Sequence, residues 1–136
     1  APKFNSEDII PVVVTETISG LVLMLGYMNK EALEKTILTK EAHYWSRSRK
    51  ALWKKGESSG MVHKIDEILI DDDQDSIWLK VTIGGLGASC HVGYKSCFYR
   101  SVDSIEKDEV ILNFTESEKV FDPEEVYPGI ENPTKL

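Results

Sequence analysis

Two short apolar runs near the start of the chain predict a β-hairpin over residues 9–28. The first run, residues 9–14, is rich in β-branched side chains, and the second, residues 21–25, is continuously apolar. Ser19-Gly20 lies between them and is typical of a turn. This part of the chain is therefore predicted to form two strands.

The next apolar positions recur at helical rather than strand spacing. They are Ala32, Leu33, Thr36 and Ile37. Asn29 precedes them and can cap a helix, because its side chain can accept a hydrogen bond from an amide of the first turn. The pattern predicts a short helix over residues 30–39.

Strand patterns dominate the rest of the chain. They cover residues 42–46, 61–70, 76–83, 96–102 and 110–114. The alternation slips in phase near Asp66-Glu67, which predicts a bulge. Residues 46–60 are polar and interrupted by glycine, so we expect a loop there, with at most one helical turn. The predicted fold is α+β and predominantly β: a compact single domain, residues 1–136, of twisted antiparallel strands with one or two short helices.

Charge and composition exclude several classes of partner. The formal net charge is −7, which argues against binding to nucleic acid or to an anionic membrane. No apolar run approaches the ~20 residues that span a bilayer, and the first residues lack the apolar core of a signal peptide. The two cysteines are then expected to be reduced, and the chain to be cytoplasmic.

An acidic cluster separates the strands predicted over 61–70 and 76–83. Asp71, Asp73 and Asp75 alternate, so on a strand their carboxylates would share one face, with Asp72 on the other. Clustered carboxylates suit a hard cation such as magnesium, Mg2+, or calcium. The alternative is a solvated acidic turn. An EF-hand is not expected, because its glycine and glutamate positions are missing.

Soft metal ligands follow further along the chain. Cys90, His91 and Cys97 offer two thiols and an imidazole, which suit zinc, Zn2+, although the spacing is not that of a zinc finger. A third protein ligand would come from elsewhere in the chain, with Asp72 as a candidate. The alternative is two buried thiols and a surface histidine.

Five cations are concentrated within nine residues of the segment 46–60. They are Arg47, Arg49, Lys50, Lys54 and Lys55. Together with neighbouring serine hydroxyls and glycine-flanked amides, they predict a site for a phosphate group. The alternative is a solvated basic loop. His63, which stands on a predicted strand, is expected to be a structural histidine.

Taken in order, these segments resemble the phosphoribosyl-AMP cyclohydrolase family over roughly residues 20–103. The matching motifs are Trp45-Ser46-Arg47-Ser48-Arg49, Leu52-Trp53-x-Lys55-Gly56-Glu57-x-Ser59-Gly60, Asp71-x-Asp73-x-Asp75, Cys90-His91-x-Gly93 and Ser96-Cys97-Phe98. The family places a cysteine between the first two aspartates, where this chain has Asp72. Zinc also accepts carboxylate oxygen, so Asp72 is expected as the third zinc ligand.

The resemblance implies an intertwined homodimer with its sites shared across the interface. It implies zinc at Cys90 and Cys97, with Asp72 as the third ligand, and magnesium at Asp71, Asp73 and Asp75. It implies that His91 transfers protons while water opens the adenine ring of phosphoribosyl-AMP at the N1–C6 bond. The residues expected to hold the substrate are Ser46, Arg47, Ser48, Arg49, Lys55 and Ser59.

Two other functions stay open. A chain of this family that has lost a zinc thiolate can bind a nucleotide or a metal without turnover. An acidic calcium-binding module would need the aspartates but neither cysteine.

Overall fold

The computed structural model describes residues 1–85, 95–106 and 109–115. In this part of the chain one helix accompanies eight strands, so the fold is mostly β, as predicted. The helix α1 spans Lys30–Thr39. The strands are β1 (Ile10–Glu16), β2 (Val22–Met28), β3 (His43–Ser46), β4 (Ala51–Lys54), β5 (His63–Ile70), β6 (Ile77–Ile83), β7 (Arg100–Glu106) and β8 (Glu109–Phe114). No helix within these described ranges is long and apolar enough to cross a membrane.

Four strands form one sheet in the order β2-β1-β6-β5. β1 and β2 pair antiparallel with Ile10 opposite Met28, which confirms the hairpin predicted over residues 9–28. β5 and β6 also pair antiparallel, and their register shifts between Ile65 and Glu67. The bulge predicted from the slip in alternation is therefore confirmed.

One pairing in this sheet is parallel. β1 lies beside β6 with Val12 opposite Ile77 and Glu16 opposite Val81. The expectation of antiparallel strands holds for the other described pairs but not for this one. A parallel neighbour needs a long connection that returns the chain to the same end of the sheet. The segment between β1 and β6, which contains α1 and four strands, provides that length.

Alternating side chains of the two central strands form the core. Val12 and Val14 on β1, with Leu79 and Val81 on β6, are completely buried. Successive side chains of a strand point to opposite faces, so this alternation covers one face of the sheet with apolar groups. The other main core residues are Ile10, Leu23, Met28, Ala32, Ala42 and Tyr44.

The helix begins and ends as the sequence predicts. The Asn29 side chain accepts a hydrogen bond from the Ala32 N–H at 2.8 Å, which satisfies one amide of the first turn. Lys40 ends the helix in a left-handed conformation, with its N–H donating to the Thr36 carbonyl. The buried Thr36 hydroxyl also accepts from the His43 N–H at 2.9 Å, so α1 is joined to β3.

The expectation of a loop over residues 46–60 is wrong for its middle, because β4 runs through it. β4 pairs antiparallel with β3, with Tyr44 opposite Trp53 and Ser46 opposite Ala51. Leu52 and Trp53 pack against the core, and their burial stabilises β4. The charged residues on either side make this strand hard to recognise from the sequence. Residues after β4 do form turns, and Gly56 has φ +84°, where an added Cβ would clash with the Val62 nitrogen.

β7 and β8 form a separate two-stranded antiparallel sheet. The strand expected over residues 96–102 begins only at Arg100, and the strand expected over 110–114 lies within β8. Large apolar side chains of this hairpin are exposed. They are Val102, Val110, Leu112 and Phe114.

Candidate functional site

The aspartate cluster forms a tight turn between β5 and β6. The Asp71 Oδ1 accepts hydrogen bonds from the Asp75 N–H at 2.9 Å and the Ser76 N–H at 3.1 Å. The Asp71 carbonyl accepts from the Gln74 N–H, and Gln74 has φ 66°. Asp71 thus closes the turn with its own carboxylate, which is a common use of aspartate in turns.

The strand alternation assumed for these aspartates is wrong, because β5 ends at Ile70 and β6 begins at Ile77. Carboxylate oxygens of Asp71, Asp72 and Asp73 lie within 4.8 Å of one another. Asp72 therefore does not point away from its neighbours, as a strand would require. The roles of Asp72 in zinc binding and Asp75 in magnesium binding stay predictions.

The carboxylates of this turn perturb one another's pKa values. Hydrogen bonding to Ser76 holds the pKa of Asp71 below its usual range. Hydrogen bonds to the carboxylates of Asp71 and Asp75, followed by burial and like-charge repulsion, raise the pKa of Asp73 to about 6. A divalent cation would relieve the same repulsion, and three carboxylates are a donor set that suits magnesium or calcium.

Cys97 lies beside β2, at the edge of the sheet opposite β5. Its side chain is exposed, and its N–H donates to the Leu23 carbonyl at 2.7 Å. The buried Ser96 hydroxyl donates to the Val22 carbonyl at 2.7 Å and anchors the same segment. The other predicted residues of this group, Cys90 and His91, lie outside the described residues.

A buried tyrosine–histidine pair lies close to Cys97. The Tyr44 hydroxyl and the His63 Nδ1 share a hydrogen bond at 2.9 Å, and both side chains are fully buried. Burial raises the pKa of Tyr44, with a smaller contribution from Cys97. Burial also lowers the pKa of His63 to about 3, and the charge of Lys55 lowers it further. Both groups therefore stay neutral at physiological pH, and His63 has the structural contact expected of it.

The serines and arginines predicted to hold phosphate gather at the turn between β3 and β4. The Ser46 hydroxyl accepts from the Arg49 N–H at 3.2 Å and from the Arg49 Nε at 3.4 Å, and it lies 3.4 Å from the Ser48 hydroxyl. The Arg47 guanidinium lies over the Tyr27 ring, 3.9 Å from its centroid. Tyr27 was not recognised from the sequence, because its contact with Arg47 is not local in the chain.

Lys55 and Ser59 lie away from these arginines. β3 and β4 pair over four residues each, so Lys55 follows the end of the hairpin opposite the arginine turn, about 10 Å away. The Ser59 hydroxyl accepts from the Met61 N–H at 3.2 Å. Lys54 forms an ion pair with Glu41 at 2.8 Å, so its charge is partly neutralised.

The predicted site residues therefore form two groups within one protomer. The aspartate turn lies at the Ile70 end of β5, where Ile70 pairs with Ile77. Tyr27, over which Arg47 packs, lies at the same end of the sheet, because its partner Pro11 is next to Val12 and Val12 pairs with Ile77. Tyr44 and Lys55 are grouped around His63, at the start of β5, and Cys97 lies near Tyr44 beside β2. The eight residues of β5 place the His63 backbone roughly 23 Å from the aspartate turn.

Comparison with known proteins supports one family. A protein-family model described as phosphoribosyl-AMP cyclohydrolase matches residues 24–99. The chain is 52% identical over 126 residues to the phosphoribosyl-AMP cyclohydrolase of Rhodopseudomonas palustris (strain HaA2), covering 93% of this chain and 84% of that protein.

Two further relatives carry the same name. The chain is 49% identical to the protein from Rhizobium rhizogenes (strain K84 / ATCC BAA-868), of which it covers 84%. It is 48% identical to the protein from Sinorhizobium fredii (strain NBRC 101917 / NGR234), of which it covers 82%. Each match again includes 93% of this chain.

Proposed function

This chain belongs to the phosphoribosyl-AMP cyclohydrolase family, and from that premise we propose that it hydrolyses phosphoribosyl-AMP in histidine biosynthesis. Water would attack C6 of the adenine ring and the N1–C6 bond would break, giving the formimino-AICAR ribonucleotide. The substituent at N1 makes C6 electrophilic, so the reaction needs an activated water and a proton for N1. The observation that carries this proposal is the match over 126 residues to proteins of that name.

Two metal sites would support the reaction. Asp71, Asp73 and Asp75 would hold magnesium, and their exposed turn offers the oxygen ligands that this ion prefers. Cys90, Cys97 and Asp72 would hold zinc, whose donor set of two thiols and one carboxylate is chemically suitable. The chemistry that a bound zinc ion supplies is Lewis acidity, which lets water react near neutral pH.

The remaining roles belong to side chains that bind and move protons. His91, which is outside the described residues, would transfer a proton, because imidazole titrates near neutral pH. Arg47 and Arg49 would bind the substrate phosphates through charge-assisted hydrogen bonds, with Ser46 and Ser48 as further donors. Lys55 and Ser59, which follow β4, would complete the binding site.

The separation of the two groups supports a homodimer with shared sites. Ligands of one zinc ion must lie within about 2.3 Å of it, whereas in one protomer Cys97 lies beside the edge strand β2 and Asp72 follows the opposite edge strand, β5. A second protomer, oriented in the opposite sense, would bring its Cys97 to the first protomer's Asp72. The exposed apolar side chains of β7 and β8 are further support, because they offer surface that a second copy would cover.

A non-catalytic or weakly active nucleotide- or metal-binding protein is the alternative. The observation that favours it is Asp72, which replaces the cysteine of the family and lies with Asp71 and Asp73. A carboxylate drawn into the aspartate cluster would leave zinc with two thiolates only. The cytoplasmic location inferred from the sequence stays a prediction under either function.

Metal content and turnover distinguish the two functions. The protein, purified without chelator, should turn over phosphoribosyl-AMP and contain about one zinc per subunit. Asp72→Cys should retain or strengthen zinc binding, whereas Asp72→Ala should weaken it and slow turnover. Glu34→Ala, which removes an exposed acid from α1, is the control and should change neither.

Stoichiometric zinc in Asp72→Ala would show that Asp72 is not a ligand. Zinc-loaded protein without turnover would favour the binding protein over the enzyme.

A further inference from the structure

The contact between Arg47 and Tyr27 is the closest approach of a cation to an aromatic ring in the described part of the chain. The guanidinium carbon lies 3.9 Å from the Tyr27 centroid, whereas the Lys80–Trp78 and Arg100–Tyr99 contacts measure 4.6 Å and 5.0 Å. All are within the ~6 Å at which a ring attracts a cation. A guanidinium this close packs directly on the ring.

The ring is the fixed member of this pair. Tyr27 lies in β2, opposite Pro11 of β1, and the next residue, Met28, is completely buried. Arg47 is exposed and belongs to the four-residue turn between β3 and β4. A long side chain on an exposed turn has many rotamers, so its position depends on what it packs against. The Tyr27 ring therefore restrains Arg47, and not the reverse.

Stacking on a ring restrains an arginine side chain without neutralising its charge. Neither Arg47 nor Arg49 forms an ion pair with a carboxylate within residues 1–85, 95–106 and 109–115. Arg49 is held by the Ser46 hydroxyl, and Arg47 is held by Tyr27. A ring contacts the face of the guanidinium and leaves its in-plane N–H groups available to an anion.

We infer that Tyr27 is a positioning residue that orients Arg47 toward the substrate phosphate. This inference rests on the proposed function of Arg47. The pair lies at the same end of the sheet as the aspartate turn, because Pro11 opposite Tyr27 is next to Val12, which pairs with Ile77. Orientation before binding lowers the entropy lost when the phosphate contact forms.

Kinetics of single and double variants test this role. Tyr27→Leu should raise KM for phosphoribosyl-AMP roughly two- to fivefold with little change in kcat, the effect of losing one exposed cation–π contact. Tyr27→Phe keeps the ring and should restore KM. In an Arg47→Gln background, Tyr27→Leu should raise KM no further, because the group that it orients is absent.

Two controls distinguish the loss of the Tyr27–Arg47 contact from a general change in charge or folding. Lys80→Gln removes a cation from the Trp78 ring outside the turn and should leave KM unchanged. The Arg47 Nε–H proton, observed by NMR, should lose its ring-current shift in Tyr27→Leu and retain it in Tyr27→Phe, independently of any substrate.

Each contrary result has a distinct meaning. If Tyr27→Leu raises KM equally in both backgrounds, the ring contacts substrate itself and the inference is wrong. If Arg47→Gln raises KM and Tyr27→Leu does not, this inference fails and the phosphate site stands. If Arg47→Gln leaves KM unchanged, the phosphate assignment of Arg47 and this inference fail together.

Discussion

His63 is a buried histidine that the fold keeps neutral. Its side chain has no exposed surface, and burial with the nearby charge of Lys55 lowers its pKa from 6.5 to about 3. The unfolded chain binds a proton on this residue near pH 6.5, whereas the folded chain does not bind it until about pH 3. The contribution of neutral His63 to the free energy of unfolding is therefore fully present above pH 6.5 and is lost as the pH falls toward 3.

The pH dependence of unfolding should show this histidine directly. In urea titrations at fixed protein concentration, His63→Gln should remove up to about 1.4 kcal/mol per pH unit from the slope of unfolding free energy between pH 6.5 and 5. Glutamine can still accept a hydrogen bond from the Tyr44 hydroxyl, so the core contact is preserved. Parallel profiles for the two proteins would contradict a neutral, buried His63.

At the scale of elements, one residue of the aspartate turn, Asp71, has two functions. Asp71 accepts two amide hydrogen bonds that close the turn, and it is also a predicted magnesium ligand. The first function needs a side-chain oxygen, which asparagine also has. The second needs a negative charge, which asparagine lacks.

Substitutions of Asp71 should separate these functions. Asp71→Asn should keep the melting temperature close to that of the wild type in the absence of metal, and should lose the stabilisation that added magnesium gives. Asp71→Ala should lower the melting temperature by a few degrees even without metal, because the Asp75 and Ser76 amides lose their partner. Equal melting temperatures for the two metal-free variants would show that the turn does not depend on this carboxylate.

Local elements were predictable from the sequence, whereas several non-local ones were not. The helix over 30–39 was predicted with its observed bounds, because Asn29 and the helical spacing act within one turn. β4 was missed, since its stability comes from packing Leu52 and Trp53 on a distant core. The sequence places the aspartates correctly between two strands, but the strand alternation applied to their side chains is wrong, because such segments favour turns that bond their own backbone.

At the scale of the whole molecule, the arrangement of the site in space could not be predicted from the sequence. The motifs identify the residues and the family. The parallel pairing of β1 with β6 determines which of these residues lie at the same end of the sheet. The aspartate turn follows β5, one edge strand of the main sheet, and Cys97 lies beside β2, the other edge strand. The proposed shared site would bring these residues together from two copies of the chain.

Mixing two inactive variants tests this account most directly. Cys97→Ser and Asp73→Asn should each be inactive alone, because each disables both sites of its own dimer. After unfolding and refolding together in equal amounts, they should regain about a quarter of wild-type turnover of phosphoribosyl-AMP, since half of the dimers are mixed and each has one intact site of two. Replacing Asp73→Asn with the double variant Cys97→Ser/Asp73→Asn leaves no intact site, and that mixture should stay inactive. Mixed dimers that form but do not recover turnover would contradict a cyclohydrolase site shared between two protomers.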